Sequence, residues 1–117
     1  MRRALLVLAI GLGISSQALA AAPIPSGAAA AHVGETATIE GVVSNVVTLK
    51  SSGTILIDIG GVYPNNDFAA VIFSEDAAQF PAAAELGGKT VEVTGPVSLY
   101  KGKPEIVLKT GDQLQSR

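Results

Sequence analysis

The residues able to do chemistry are few in this sequence, and they are scattered. It holds one histidine, His32, and no cysteine. An imidazole works as a general base or metal ligand only beside companions that orient it. His32 follows a run of alanines and reads as an exposed linker residue. Without thiolates the chain forms no disulfide, thiolate metal centre or cysteine nucleophile, and no His, Asp and Glu residues fall at metal-ligand spacing. Glu75 and Asp76 are adjacent where a helix is expected to begin, and their charge suits its unpaired N–H groups. Asp58 alternates with Ile55, Ile57 and Ile59, so it points away from them, as a solvated carboxylate. Phosphodiester cleavage needs cations at the phosphoryl group, yet no arginine stands between Arg3 and Arg117. These residues predict a protein that is not an enzyme and that uses no metal or cofactor.

Binding chemistry has more to work with. Tyr63 and Phe68 bracket a polar loop, Tyr100 falls with Lys101 and Lys103 at a predicted hairpin tip, and Lys50 lies in an earlier turn. Bases stack on aromatic rings and phosphates need countercharge, so aromatics beside lysines suit single-stranded nucleic acid. Lys50, Tyr63, Phe68, Tyr100, Lys101 and Lys103 are therefore the candidate ligand-binding residues. The same residues also have a purely structural reading, in which the lysines keep a hairpin tip soluble and Phe68, with Tyr63, packs inside.

Charge weighs on that choice. The chain has 8 Lys and Arg against 10 Asp and Glu, a net of −2. Its first twenty residues have the three parts of a secretory signal: basic Arg2-Arg3, an apolar run from Ala4 to Ile14, and the small-x-small Ala18-Leu19-Ala20. Ser15, Ser16 and Gln17 end the apolar run short of the ~20 residues a membrane span requires. Cleavage after Ala20 is expected, with a periplasmic or secreted product. Losing Arg2 and Arg3 leaves 6 basic against 10 acidic residues, a net of −4, which is not the charge of a nucleic-acid-coating protein.

The elements that must position these residues are strands. Residues 21–32, with two prolines and a run of alanines, read as a flexible tether, and the domain is expected over 33–117. Thr36 to Leu49 is dense in Val, Thr and Ile, and Gly41 followed by Val42-Val43 breaks its alternation, as a bulge or bend in one long strand does. Thr54 to Ile59 and Phe68 to Phe73 follow as strands two and three. Ser74-Glu75-Asp76 starts a short helix, broken at Pro81 and resumed before Gly87-Gly88. Thr90 to Tyr100 is the fourth strand, with Val91, Val93, Gly95, Val97 and Leu99 on its inner face. The turn Lys101-Gly102-Lys103 leads into a fifth, Glu105 to Lys109, and Asp112 to Leu114 closes as a helical turn. The expectation is an all-β fold: a five-stranded Greek-key barrel of the OB type with a short helix between strands three and four.

Val33-Gly34-Glu35, Thr38-Ile39-Glu40-Gly41-Val42-Val43, Ile57-Asp58-Ile59-Gly60, Tyr63-Pro64, Phe68 to Phe73, Leu86 to Gly95 and Tyr100-Lys101-Gly102-Lys103-Pro104-Glu105-Ile106 occur in this order. Together they resemble small exported bacterial OB-fold proteins of the nucleic-acid-binding superfamily. That resemblance implies oligonucleotide or oligosaccharide binding on strands two and three, between the loops after strands one and four. Two functions follow as expectations: weak binding of single-stranded nucleic acid or nucleotides, or an exported accessory module that binds protein or glycan.

Overall fold

Strand β2, Thr36–Thr48, organises the sheet in the computed structural model, which describes residues 22–117. The predicted signal peptide, residues 1–20, lies outside the described residues. Along its first half β2 pairs antiparallel with β5, Thr90–Pro96, from Thr36↔Pro96 to Val42↔Thr90. Along its second half it pairs antiparallel with β3, Ile55–Ile59, from Val43↔Ile59 to Thr48↔Ile55. The change of partner falls between Val42 and Val43, just after Gly41, where an added Cβ would lie 2.5 Å from Ile59 Cγ2 and 2.9 Å from Ser26 Oγ. Just beyond it the register shifts between Val43 and Asn45. Ser44 is the extra residue, so Val43 and Val46 both face inward although three positions separate them. The sequence places the break at Gly41 and Val42-Val43, but alternation runs on through them and the bulge falls one residue later, at Ser44.

The remaining strands are β1, Ile24–Pro25, β4, Phe68–Ile72, β6, Ser98–Tyr100, β7, Lys103–Leu108, and β8, Leu114–Ser116. All eight belong to one sheet ordered β6-β7-β4-β3-β2-β5-β8, with β1 parallel to β2 beside the path. β4 and β7 are parallel. Among the described residues the sheet has eight strands rather than the five expected of the barrel, and no ladder closes the path. The predicted fourth strand is two strands because Val97 leaves the ladder: its N–H donates to the Glu35 carbonyl and its carbonyl accepts from Gly34 N–H, both at 2.8 Å. β5 and β6, joined by this one residue, pair far apart along the path. The sheet therefore has to curl until the two regions meet at Val97.

Inside the curl lie Ile39, Val43, Ile57, Ile59, Phe68, Ala70, Ile72, Val91, Val93, Ile106 and Leu108, all buried. Leu99, predicted on that inner face, is 56% exposed, since β6 has already diverged from the core when it reaches it. The predicted tether is corrected as well. Ile24 pairs with Ile39, and Ser26–His32 forms a 3₁₀ helix that places Ala29 in the core. An alanine run packs here because small side chains let the turn approach the sheet closely.

The predicted helix between the third and fourth strands is a pair of 3₁₀ turns, Ser74–Gln79 and Ala83–Glu85, and Ser74 makes no side-chain cap. Phe80, Ala83 and Leu86 are its buried anchors. Their spacing of three matches the 3.0-residue period of the 3₁₀ helix, and Pro81 removes a donor that an α-helix would use. At the C-terminal end the expected helical turn is a 3₁₀ turn, Gly111–Gln113, capped by Thr110 and running into β8.

Two substitutions test this packing. An added Cβ at buried Gly95 would lie 2.7 Å from Ile106 Cγ2 and 3.0 Å from Gln113 Nε2. Gly95→Val is expected to lower stability by about 1–3 kcal/mol through overpacking, read as a shifted urea midpoint. Ala29→Leu is expected to cost about as much, whereas an unchanged midpoint would return residues 21–32 to a tether.

Candidate binding face

Register decides which side chains share the outer surface of the curled sheet, opposite Ile57, Ala70 and Ile106. One cross-strand row runs Asn45–Asp58–Ala69–Glu105–Ser98 over β2, β3, β4, β7 and β6. Two residues along each strand a second row runs Val47–Leu56–Val71–Val107. The outward positions thus form a row that holds two carboxylates, one of them the buried Asp58, and a wholly aliphatic row. Val71 is buried and Val47 is exposed at its edge.

Asp58 corrects the expectation of a solvated carboxylate, for it is only 5% exposed. The loop between β3 and β4 folds over it, and Tyr63 N–H donates to Asp58 Oδ2 at 3.3 Å. Several contacts fix that loop. Gly61 N–H donates to Oγ of the bulge residue Ser44 at 2.8 Å. Buried Asn66 donates through Nδ2 to the Phe68 carbonyl at 3.1 Å. Ser26 Oγ donates to Asp67 Oδ2 at 3.2 Å, which ties the N-terminal segment to the loop. Gly60 and Gly61 take φ values of 73° and 125°, left-handed backbone that glycine adopts without a Cβ penalty.

The hairpin tip joining β6 and β7 is the second feature. Lys101 and Gly102 have φ of 52° and 80° between the paired residues Tyr100 and Lys103. Two central residues at positive φ match the primed turns whose twist suits a hairpin. Lys101 Nζ sits 5.4 Å from the Tyr100 ring centroid, within cation–π range.

The candidate residues sort clearly. Tyr100, Lys101 and Lys103 are together at the hairpin tip. Because Ala69 pairs with Glu105 and Asp58 with Ala69, that tip lies at the same end of the sheet as the loop carrying Tyr63. Tyr63 and Tyr100 are 63% and 58% exposed. Lys50 is at the opposite end, beyond the Thr48–Ile55 pair. Phe68 is fully buried in the core and presents no surface to a ligand, because its strand position puts it on the inner side with Ile59. Asn45, Leu56, Ala69, Glu105 and Val107 were missed. Alternation within their strands marks them as outward, but which of them stand side by side depends on pairing.

The two rows carry Asp58 and Glu105 and no lysine, and Lys103 and Lys109 stand at the two ends of the same outward side of β7. Among the described residues Arg117 pairs with Glu40 and Glu92, and His32 contacts Glu35; none of these involves Asp58 or Glu105. Burial pushes the Glu105 carboxyl above the ordinary glutamate range. Among the described residues no group of His, Cys, Asp and Glu is arranged to hold a metal ion.

The raised Glu105 pKa has a stability consequence. A carboxyl harder to ionise in the folded state costs stability once it is charged, so the cost grows as pH rises through the folded value and is absent below the unfolded one. Glu105→Gln is therefore expected to be more stable than the parent at neutral pH. The gain should shrink to nothing in acid, as denaturation midpoints from about pH 3 to 7 would report.

No protein-family model and no curated protein matches the sequence. Among solved structures, the chain is similar to a Leishmania major Friedlin protein assigned as an aspartyl-tRNA synthetase, with TM-score 0.56 and 14% identity. That match takes in 92% of this chain but only 23% of the other. A Klebsiella pneumoniae subsp. pneumoniae MGH 78578 protein assigned as a nucleic acid-binding lipoprotein gives TM-score 0.44 and 13% identity, over 79% of this chain and 77% of that one. At 14% identity the first of these likenesses speaks for the fold alone: this β-sheet domain has the architecture of a segment of a much longer protein.

Proposed function

We propose that this domain is an OB-type binding module, not an enzyme, which takes an extended protein segment or glycan across the outer face of β3, β4 and β7. The chain order supports the fold assignment. A long bent strand, β2, is followed by the β3–β4 pair, then the 3₁₀ turns, then β5–β6 and β7, with β7 parallel to β4. This is the connectivity of the OB barrel with its fourth strand split and its closure left open. The pattern of residues 1–20 supports export to the periplasm or beyond.

One observation carries the choice of ligand: the row bearing Asp58 and Glu105 runs across the middle of that face. A polyphosphate chain laid there would set its anions against Glu105 and near the buried Asp58, with no lysine in either row to offset them. Hydroxyl and amide donors face no such repulsion. A second reading is favoured by the hairpin tip alone. Lys101 over the Tyr100 ring, Lys103 beside it and Tyr63 at the same end form a small stacking and countercharge site for single-stranded nucleic acid.

Titration of a labelled oligothymidylate into the isotope-labelled protein at low salt separates the two. Weak binding is expected, with shifts confined to Tyr63, Tyr100, Lys101 and Lys103. In the Lys101→Ala, Lys103→Ala double variant the salt slope is expected to fall by about 1.4, near 0.7 per lost phosphate contact. Shifts spreading across Leu56, Ala69 and Val107 would replace the proposed ligand with nucleic acid.

A further inference from the structure

We infer that the end of the sheet carrying the two tyrosines is a membrane-surface anchor, which seats in a bilayer bearing anionic headgroups. Two turns project from that end. Asn65 N–H donates to the Val62 carbonyl at 2.8 Å, so one turn carries Tyr63 and Pro64 at its apex. The other is the β6–β7 hairpin, with Lys101 and Gly102 between the paired Tyr100 and Lys103. β4 and β7 are parallel with Ala69 opposite Glu105, which sets Lys103 level with Asp67, the last residue of the loop bearing the first turn. Both turns therefore reach past the same margin of the sheet. Val62, Tyr63, Leu99 and Tyr100 are each half or more exposed, four of the five most exposed large apolar side chains among the described residues. Hydrogen bonds from Tyr63 N–H to Asp58 and from Gly61 N–H to Ser44 fix the first turn, and strand pairing fixes the second. These side chains are thus held out of the core. The anchor is independent of the outer face, whose two rows lie further along the strands.

Charge selects the kind of bilayer. Lys101 and Lys103 stand at this end, and neither forms an ion pair among the described residues. Of the acids nearby, Asp58 is buried, and Asp67 turns its carboxylate to Ser26 and Gly60, toward the N-terminal segment. Glu105 lies two residues behind Lys103, about 6.6 Å further from the tip. The net negative charge of the whole chain is screened beyond about 8 Å at physiological salt, so the groups at the tip decide the contact. Each of them matches a level of an anionic bilayer. Tyrosine rests at the headgroups with its hydroxyl in water, aliphatic side chains enter the acyl boundary, and lysine reaches phosphate from an apolar stem. Single-stranded nucleic acid would engage the rings and the lysines but would leave Val62 and Leu99 in water. This aliphatic pair favours the bilayer.

Sedimentation of the exported, processed protein with vesicles tests this, using equal parts phosphatidylglycerol and phosphatidylethanolamine against phosphatidylcholine alone. Binding to the anionic vesicles is expected, falling as salt is raised, with far less to phosphatidylcholine. Lys101→Ala with Lys103→Ala is expected to weaken it roughly twenty- to thirtyfold, about fivefold for each lysine near such a surface. Val62→Ser with Leu99→Ser is expected to weaken it roughly tenfold, through lost apolar burial, while any affinity for oligothymidylate is unchanged. All four positions lie outside the core, and nuclear magnetic resonance spectra matching the parent's away from the tip check that both variants fold. Equal sedimentation with phosphatidylcholine overturns the anionic surface. Undiminished vesicle binding in the Val62→Ser, Leu99→Ser variant overturns the anchor. No sedimentation with either vesicle also overturns it, and oligothymidylate binding in that case assigns the two turns to nucleic acid.

Discussion

Strand β2 has to serve two partners, and the rest of the molecule follows from how it does so. A flat strand offers each neighbour a full edge, and the result would be a sheet with two open flanks. Here the first half of β2 is given to β5 and the second to β3, which forces the strand to bend where the partners change. Gly41 lets Ile59 and Ser26 come within the space a side chain would fill, and the bulge at Ser44 restores an inward phase to Val46. The strand turns the corner, and its apolar side chains stay inside.

The same corner builds the candidate site. Ser44, put out of the ladder by the bulge, accepts from Gly61 and so anchors the start of the β3–β4 loop. Ser26, pressed against Gly41, donates to Asp67 at the end of that loop. Held at both ends, the loop lies over Asp58 and gives it the Tyr63 N–H. A carboxylate that strand alternation alone would leave in water is thereby buried with a donor, which lessens the desolvation cost of keeping it there. Fold and site are not separable here. The contacts that bend β2 are the ones that order the loop.

Charge is distributed so that the face and its rim differ. Arg117 is drawn to the edge by Glu40 and Glu92, and Lys101 and Lys103 occupy the hairpin tip, where their solvation is least disturbed. Asp58 and Glu105 keep the centre. Long-range attraction of polyanions is weak for such a chain. The likeness to part of an RNA-charging enzyme's fold does not carry that enzyme's ligand with it, because a fold hosts many functions and the site's own chemistry selects among them.

Much of the β architecture was legible because it is local. Alternating Val, Ile and Thr mark strands β2, β3 and β5, Gly41 marks the bend, and Lys101-Gly102 marks the hairpin, each through steric preferences of a few neighbouring residues. The helix expected after Ser74 failed for a reason also local but quantitative: with Pro81 inside it, only the three-residue spacing of Phe80, Ala83 and Leu86 had partners to bury against. The tether failed because an alanine run has no pattern of its own. It packs only where a groove of the right width exists, and that groove is made by β2. What tertiary structure alone decided is adjacency. Alternation says that Asp58, Ala69, Glu105 and Ser98 point outward, but the pairing of β3 with β4, β4 with β7 and β7 with β6 sets them in one row. Residues 36 positions apart, as Ala69 and Glu105 are, become neighbours through backbone hydrogen bonds that carry no side-chain signature. The candidate face is therefore written in the register of the sheet, which sequence patterning constrains to a parity and only the packed core resolves to particular partners.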